Sequence, residues 1–405
     1  MDTREHKMIE VRRFESIDDI EEVTWNSIVP GDSFFHRYRF VRSMEKARVQ
    51  DSQFWYLLFY RGNRLAGSAV LTTFSIALEL FTGGFTKSWI KSMRRFYPDF
   101  FKVKILFCGL PISIGRHNLF VADSHDGYEI MNLLYREMLS ISKERNISYL
   151  CLKEFDDRFV ELNDFFLKHN FFCLQSIPYV SMDIRWSRFA DYLKDLRHAY
   201  RRQIKKTLEK RGWIEPCIEM SNSLPEDDEE HLILSRCKAV CNAEKFFDLY
   251  NEVMEHAGIK LETLNQKFFE EIFENMHDEF ELLSFVQGKE VLGSAILHTH
   301  DKSLTFLLIG LNYRTLRAYD VYFNMTYALV KLAIDRRCSV LNLGQTSYYL
   351  KQRIGGTCNN LYFLLKSKNP LIQLTFKLFK KYFFPAPQVP SFRAFRLDAD
   401  KMTHG

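Results

Sequence analysis

No stretch of about 18 apolar residues occurs in this chain, so no transmembrane helix is expected. The opening segment Met1-Asp-Thr-Arg-Glu-His-Lys-Met-Ile-Glu10 is charged and holds no apolar run of leader-peptide length. The eight cysteines are scattered and include no Cys-x-x-Cys pair. His231, Cys237 and Cys241 come nearest to a metal set, on one prospective helix face, but a fourth ligand at a usual spacing is missing. No metal is therefore expected, and free thiols fit a reducing cytoplasm. A dominant charge is also lacking. The 56 Lys and Arg stand against 51 Asp and Glu, a net +5, so any nucleic-acid footprint must be local. With 26% charged and 46% hydrophobic residues, the 405-residue chain is neither disordered nor collagen-like. At roughly 150 residues per domain, its length fits two or three domains.

What the chain has in excess is phenylalanine, 37 residues, with aromatics at 15%. So many rings need thick cores, an apolar channel or a membrane-facing surface.

The chain also repeats itself. Gly62–Leu71 (GNRLAGSAVL) aligns without gaps on Gly288–Leu297 (GKEVLGSAIL), each block reading as a hairpin after an apolar strand. The order then continues. Lys104–Leu110 parallels Leu304–Leu311, and a helical period over Gly127–Glu144 parallels Ala318–Arg336. Ile147–Leu152 parallels Cys338–Leu343, and Leu167-Lys168 parallels Leu350-Lys351, each of the latter before an aromatic strand, Phe171–Met182 or Leu361–Lys366. An extra segment, about Thr82 to Lys102, lengthens the first copy. Five matches in one order predict a duplicated α/β unit. Each copy would form a mixed, twisted sheet flanked by helices, with one parallel strand–helix–strand step. The domains would be 1–185, 186–368 and a tail, 369–405.

Between the copies, Phe189, Tyr192, Leu193, Leu196, Tyr200, Ile204 and Leu208 fall at helical spacing. Arg197–Arg211 carries seven Lys or Arg and one Glu. The tail segment Leu371–Phe384 is amphipathic and basic.

Two such units joined by a basic helix resemble the tandem-domain N-acyltransferases of the GNAT superfamily, and within them the Fem-type enzymes and predicted N-acyltransferases of peptidoglycan biosynthesis. The similarity spans about Ile9 to Lys368. Three passages carry it: Phe189-Ala-Asp-Tyr-Leu with Tyr200-Arg-Arg-Gln-Ile-Lys-Lys206; Asn342-Leu-Gly-Gln with Tyr348-Tyr-Leu-Lys351 and Gly355; and Tyr97-Pro98, Gly109-Leu-Pro111, Gly115-Arg116. The resemblance implies a tandem GNAT-like α/β fold and acyl transfer to an amine, with the site at the C-terminal ends of the central parallel strands. It implies Lys351 as a stabiliser of oxyanion or phosphate charge, Gln345 as a substrate contact, Tyr348 (or Tyr349) as a general acid and Glu154 as a general base. A phosphate-bearing donor would be held near Gly310, Arg314 and Arg317, or near Arg116 and His117. One departure stands out. After Gly310 no further glycine follows, and Pro111 removes an amide donor between Gly109 and Gly115, so neither copy has a glycine-rich phosphate cradle.

The expected donor is a pantetheine thioester, acyl-CoA or acyl-carrier protein, with no permanently bound cofactor. The expected acceptor is an amine-bearing small molecule or lipid precursor. Alternatives are an aminoacyl-tRNA donor gripped by the Arg197–Arg211 helix, or a catalytically silent binding module. The expected setting is cytoplasmic, with 371–384 touching the inner membrane face or closing an acyl channel. The second copy, or the cleft between copies, is expected to hold the site.

Overall fold

A computed structural model describes residues 8–31, 33–77, 102–209, 220–221, 232–235, 241–257, 262–287 and 290–396. The strands of the first part are β1 (Ile9–Phe14), β2 (Gln53–Arg61), β3 (Arg64–Ala77), β4 (Lys102–Cys108), β5 (Leu119–Val121), β6 (Tyr149–Phe155) and β7 (Phe172–Gln175). There follow β8 (Tyr179–Asp183), β9 (Met220–Ser221), β10 (Leu232–Ser235), β11 (Glu281–Gln287), β12 (Glu290–His300), β13 (Ser303–Leu311), β14 (Val340–Gln345), β15 (Thr357–Asn359) and β16 (Tyr362–Ser367).

Among the described residues these form two eight-stranded mixed sheets. The first has the order β1-β2-β3-β4-β6-β16-β7, with β5 on β3. Its one parallel pair is β4 with β6. The second has the order β15-β8-β14-β13-β12-β11-β10-β9, with β13 parallel to β14 and β9 parallel to β10. The duplicated α/β architecture read from the sequence is thus present, as tandem GNAT-like sheets flanked by helices.

The units divide the chain differently from the sequence boundaries at 185 and 368. The first comprises Met1–Ile177, Leu261–Leu264 and Asn360–Gln388; the second Pro178–Lys260, Asn265–Asn359 and Val389–Gly405. The cause lies in the aromatic strands. Phe171–Met182 is not one strand but β7 and β8, interrupted at Ser176-Ile177-Pro178, where the proline lacks a ladder donor. β8 pairs with β14, while β16 enters the first sheet between β6 and β7. Nor is 369–405 a separate tail. The helices Pro370–Leu378 and Lys380–Phe383 belong to the first unit, whereas Leu196 bridges Phe395 in the second.

In the first unit the Gly127–Glu144 helix buries Ile130, Leu134, Met138 and Ile141, a helical stripe that covers one face of the sheet with Trp55, Leu57, Phe59 and Leu150. The opposite face carries Phe74, Phe107, Phe172 and Leu365, capped by Phe376 and Phe384. A strand buried on both faces reads as a continuous apolar run, which explains β2. In the second unit the helix Val321–Asp335 is buried almost all round. It is separated from Leu316–Tyr319 by Asp320, whose left-handed backbone breaks the single helix expected over 318–336. The basic connector is likewise two helices, Phe189–Asp195 and His198–Glu209. Arg197 N–H donates to the Ala394 carbonyl, and Arg396 N–H to that of Asp195, so the passing 394–396 segment takes the hydrogen bonds at the break.

Among the described residues, 17 phenylalanines are buried in the cores. Phe34, Phe35 and Phe40 pack edge to face, and Phe384 lies against Phe172, Phe363 and Phe376. Thr82–Phe101, with Phe100-Phe101, lies outside the described residues, as do His231, Cys237 and the acidic run 226–230. No helix among the described residues is long and apolar enough to cross a membrane.

Candidate functional site

In both units the central parallel strands pair for a few residues and then part. β13 and β14 are in register from Ser303–Val340 to Thr305–Asn342. β14 then continues through Leu343, Gly344 and Gln345, with a bulge against β8. Bulges of this kind re-aim side chains at the ends of sheets. Thr346 and Ser347 follow, both left-handed, at φ 61° and 51°. Two consecutive strained non-glycine residues persist only where the surroundings hold them. They turn the chain into the short helix Tyr348–Arg353. Ser347 hydrogen-bonds the hydroxyl of Tyr322, which fixes the turn against the Val321–Asp335 helix.

This turn aims Lys351 inward. The side chain is 3% exposed, and Nζ donates to the Gln345 carbonyl at 2.6 Å. Burial pulls its ammonium down to about 7, and the neighbouring Cys358 opposes that shift only in part. Among the described residues no carboxylate pairs with it. Tyr348 is half-buried and donates its hydroxyl to the Pro178 carbonyl at 3.2 Å; burial pushes its phenol up to about 12, so it stays protonated at neutral pH. Behind Lys351, its carbonyl accepts from Gly356 N–H at 2.8 Å. Gly355, at φ +106°, has the Phe395 ring where a Cβ would stand, so only glycine fits there. The structure therefore brings Lys351, Gln345 and Tyr348 together at the open end of the second sheet.

The other second-unit candidates lie in the turn after β13. Arg314 and Arg317 are exposed beside the helix Leu316–Tyr319. Arg314 N–H donates to Asn312 Oδ1 at 3.0 Å. Gly310 is a packing residue and not a phosphate cradle. A Cβ there would meet Leu249 Cβ at 2.5 Å, because the helix Ala243–His256 crosses β13 at that point.

In the first unit β4 and β6 part after Cys108–Leu152. The next residues are Lys153 and Glu154, the latter left-handed at φ 65°. Lys153 Nζ donates to the carbonyls of Leu110 and Ile112, at 3.0 and 2.8 Å. Glu154 is 3% exposed and accepts from Gly115 N–H at 3.1 Å and from Ile114 N–H. Glu262 accepts from Ser113 N–H at 3.2 Å. Burial raises both carboxyls, against the pull of Lys153; Glu262 reaches about 7, helped by the proximity of Glu154. Glu154 is thus an anchor for the 109–115 loop, one oxygen already taken by two amides. His117 stacks on Phe155 and meets Phe159 edge-on, and burial lowers it to about 4. It is therefore neutral near pH 7 and carries no charge for a phosphate. Arg116 is half-buried in the same loop.

Sequence reasoning sets Lys153 beside Glu154 at the strand end without giving it a role, and misses Glu262 and Tyr322. The Lys-Glu pair is visible just past a predicted strand, but Glu262 lies far along the chain with nothing local to flag it. Lys168, the sequence match to Lys351, is exposed. Among the described residues no cluster of His, Cys, Asp and Glu could hold a metal ion.

Residues 16–346 match the model of the FemAB-like family, described as peptidoglycan biosynthesis/recognition. The chain belongs to the FemAB-like family. The fold agrees. A crystal structure of FemX covers 90% of this FemAB-like chain and 99% of its own, at 12% identity and a TM-score of 0.54. A tandem GNAT protein from the clavulanic acid biosynthesis pathway covers 89% and 99%, at 10% identity and a TM-score of 0.50. Two curated relatives from Mycobacterium tuberculosis strains, each named putative 8-amino-7-oxononanoate synthase 2, are 23% identical over 363 residues. The match takes 87% of this chain and 45% of theirs, so the chain spans less than half the length of those relatives.

Proposed function

We propose that this FemAB-like protein is an acyltransferase that passes an acyl group from a pantetheine thioester, on CoA or a carrier protein, to a primary amine, with the chemistry in the second unit. The observation that carries the reading is Lys351. A buried ammonium without a carboxylate is costly to a fold and has its use where negative charge develops. In the reaction the amine nitrogen attacks the thioester carbonyl and the carbonyl oxygen becomes an oxyanion. Lys351 donates to that oxygen. Collapse of the intermediate breaks the C–S bond, the amide forms, and the thiolate takes a proton from the Tyr348 hydroxyl, which regains one as the attacking nitrogen releases its own. Gln345 orients the acceptor. Arg314 and Arg317 contact donor phosphates in place of a glycine-rich cradle. The acceptor is an amine-bearing small molecule or lipid precursor, in keeping with the family description.

The thioester donor is favoured because, among the described residues, the helices Ala243–His256 and Gln266–Asn275 are short, 14 and 10 residues, and no long arm for a large RNA is formed. A second reading, an aminoacyl-tRNA donor, rests on the exposed Arg197, Arg202, Lys205 and Lys206 along the His198–Glu209 helix. Thermal-shift measurements with CoA, short- and long-chain acyl-CoAs and deacylated tRNA separate the two. Stabilisation by acyl-CoA supports the first reading. Stabilisation by tRNA alone replaces it with the second, and stabilisation by none removes both in favour of a silent module.

A further inference from the structure

The helix Pro370–Leu378 is apolar on two faces. Its inner face is docked. Phe376 packs on Tyr149 and Phe172, and the buried Gln373 accepts from Ser367 N–H at 2.7 Å while donating to the Asn170 carbonyl. The outer face of such a helix should be polar. Here Leu371, Leu374 and Leu378, at i, i+3 and i+7, are 74%, 54% and 71% exposed, and Phe379 follows at 55%. Leucines held in water at that spacing form a stripe, not scattered surface residues.

The charge within the segment itself has one sign. Residues 366–384 hold five lysines and no acidic residue. Lys377, Lys380 and Lys381 are exposed, and Lys377 reaches the Asn170 side chain, which places it at the junction of the helix with the 167–170 segment. On that segment Leu167 is 44% exposed and Lys168 is exposed. A leucine stripe bordered by lysines, without a carboxylate in its own segment, complements a surface that is apolar beneath and anionic above.

We propose that the outer face of the 370–383 helical segment docks the protein on an anionic lipid bilayer. Leu371, Leu374, Leu378 and Phe379 enter the headgroup boundary, and Lys377, Lys380 and Lys381 meet lipid phosphates. The inner face stays on the sheet, so docking needs no unfolding of the helix.

The test is co-sedimentation of the full chain with vesicles of phosphatidylcholine alone and of phosphatidylcholine mixed with phosphatidylglycerol, at low and high salt. The protein should sediment with the anionic vesicles and remain in solution with the neutral ones. Leu374→Ser with Leu378→Ser should weaken the partition by about tenfold or more. Lys380→Gln with Lys381→Gln should weaken it by about 25-fold at low salt, roughly fivefold per lysine, and by less at high salt. These side chains are exposed, so both variants should keep the wild-type unfolding midpoint; if the leucine variant fails to fold, the lysine variant carries the test alone. Absence of sedimentation with anionic vesicles, equal partition into neutral ones, or wild-type partition by both variants would each overturn the proposal. So would a concentration-dependent dimer that the leucine variant converts to monomer, since a second copy would then be the occupant.

Discussion

Each unit holds a lysine just beyond the point where its central parallel strands part, half-buried at Lys153 and buried at Lys351, and the surroundings of those lysines differ. Lys153 in the first unit donates to two carbonyls and lies beside the carboxyls of Glu154 and Glu262. Lys351 in the second has one carbonyl and a neighbouring thiol. The two lysines are not equivalent in the repeat: Lys153 stands on the parallel strand itself, whereas Lys351 is delivered by the helix that follows its strand. The proposed function rests on the difference in surroundings, a lysine beside carboxyls in one unit and a lysine without one in the other.

The sharpest way to break this comparison is to remove each cation in turn. Lys351→Met should lower the turnover of acyl transfer by about 10²–10³-fold, the scale of losing one preorganised donor to an oxyanion. It should leave the unfolding midpoint at neutral pH unchanged or higher, because an isolated buried ammonium is exchanged for a methylene chain. A Lys351→Met protein with wild-type turnover would remove the site from the second unit. Lys153→Met should do the reverse. It leaves buried Glu154 without its cation and the Leu110 and Ile112 carbonyls without their donor, and should cost about 3–5 kcal/mol in urea unfolding, with turnover of the remaining folded protein near wild type.

A smaller effect is expected at Gly310. Gly310→Ala drives a methyl group into Leu249 and should cost about 1–3 kcal/mol through overpacking. An unchanged midpoint, with weakened acyl-CoA stabilisation instead, would return Gly310 to a donor-binding role.

The pH dependence of stability separates the two clusters. Glu262 keeps its proton in the folded state up to about 7, above the ordinary 4.5, so the unfolded state binds fewer protons across that window and stability falls as pH rises through it. Lys351 loses its proton near 7 when folded but at 10.5 when unfolded, so the unfolded state binds more protons above 7 and stability climbs with pH. The expected profile therefore dips near neutrality. Glu262→Gln should flatten the acid limb and Lys351→Met the alkaline limb. If either variant kept both limbs, the assignment of that group would fall. The smallest expected change is at Arg314. Arg314→Ala should raise the donor KM by about two- to fivefold, the worth of one exposed charge-assisted contact, without altering turnover.

Much of the architecture is legible in the order of amino acids alone. The hairpins, the long helices and the central strands follow local period, and the repeat multiplies each weak signal by two. Lys351 is legible because its passage, from Asn342 to Gly355, is continuous in the chain and resembles a family pattern. The division of the aromatic segments is not. Phe171–Met182 has the composition of a single strand, and only Pro178 hints that two sheets share it. The Lys153 cluster is half legible: Glu154 stands out, but its partner Glu262 comes from over a hundred residues away, and no local pattern encodes such a meeting. Gly310 reads as a phosphate glycine because a glycine demanded by a passing helix and one demanded by a ligand look alike in sequence.

The place of β16 in the first sheet has a consequence for biosynthesis. β6 and β7 do not touch; residues 362–367 lie between them. As the chain leaves the ribosome, nearly two hundred residues separate β7 from the strand that must join it. The first sheet therefore cannot close as an early, self-contained folding step, and its unfilled slot stays open to wrong partners until residues 362–367 have emerged. Truncation before residue 362 should yield aggregation-prone material in place of a folded amino-terminal fragment.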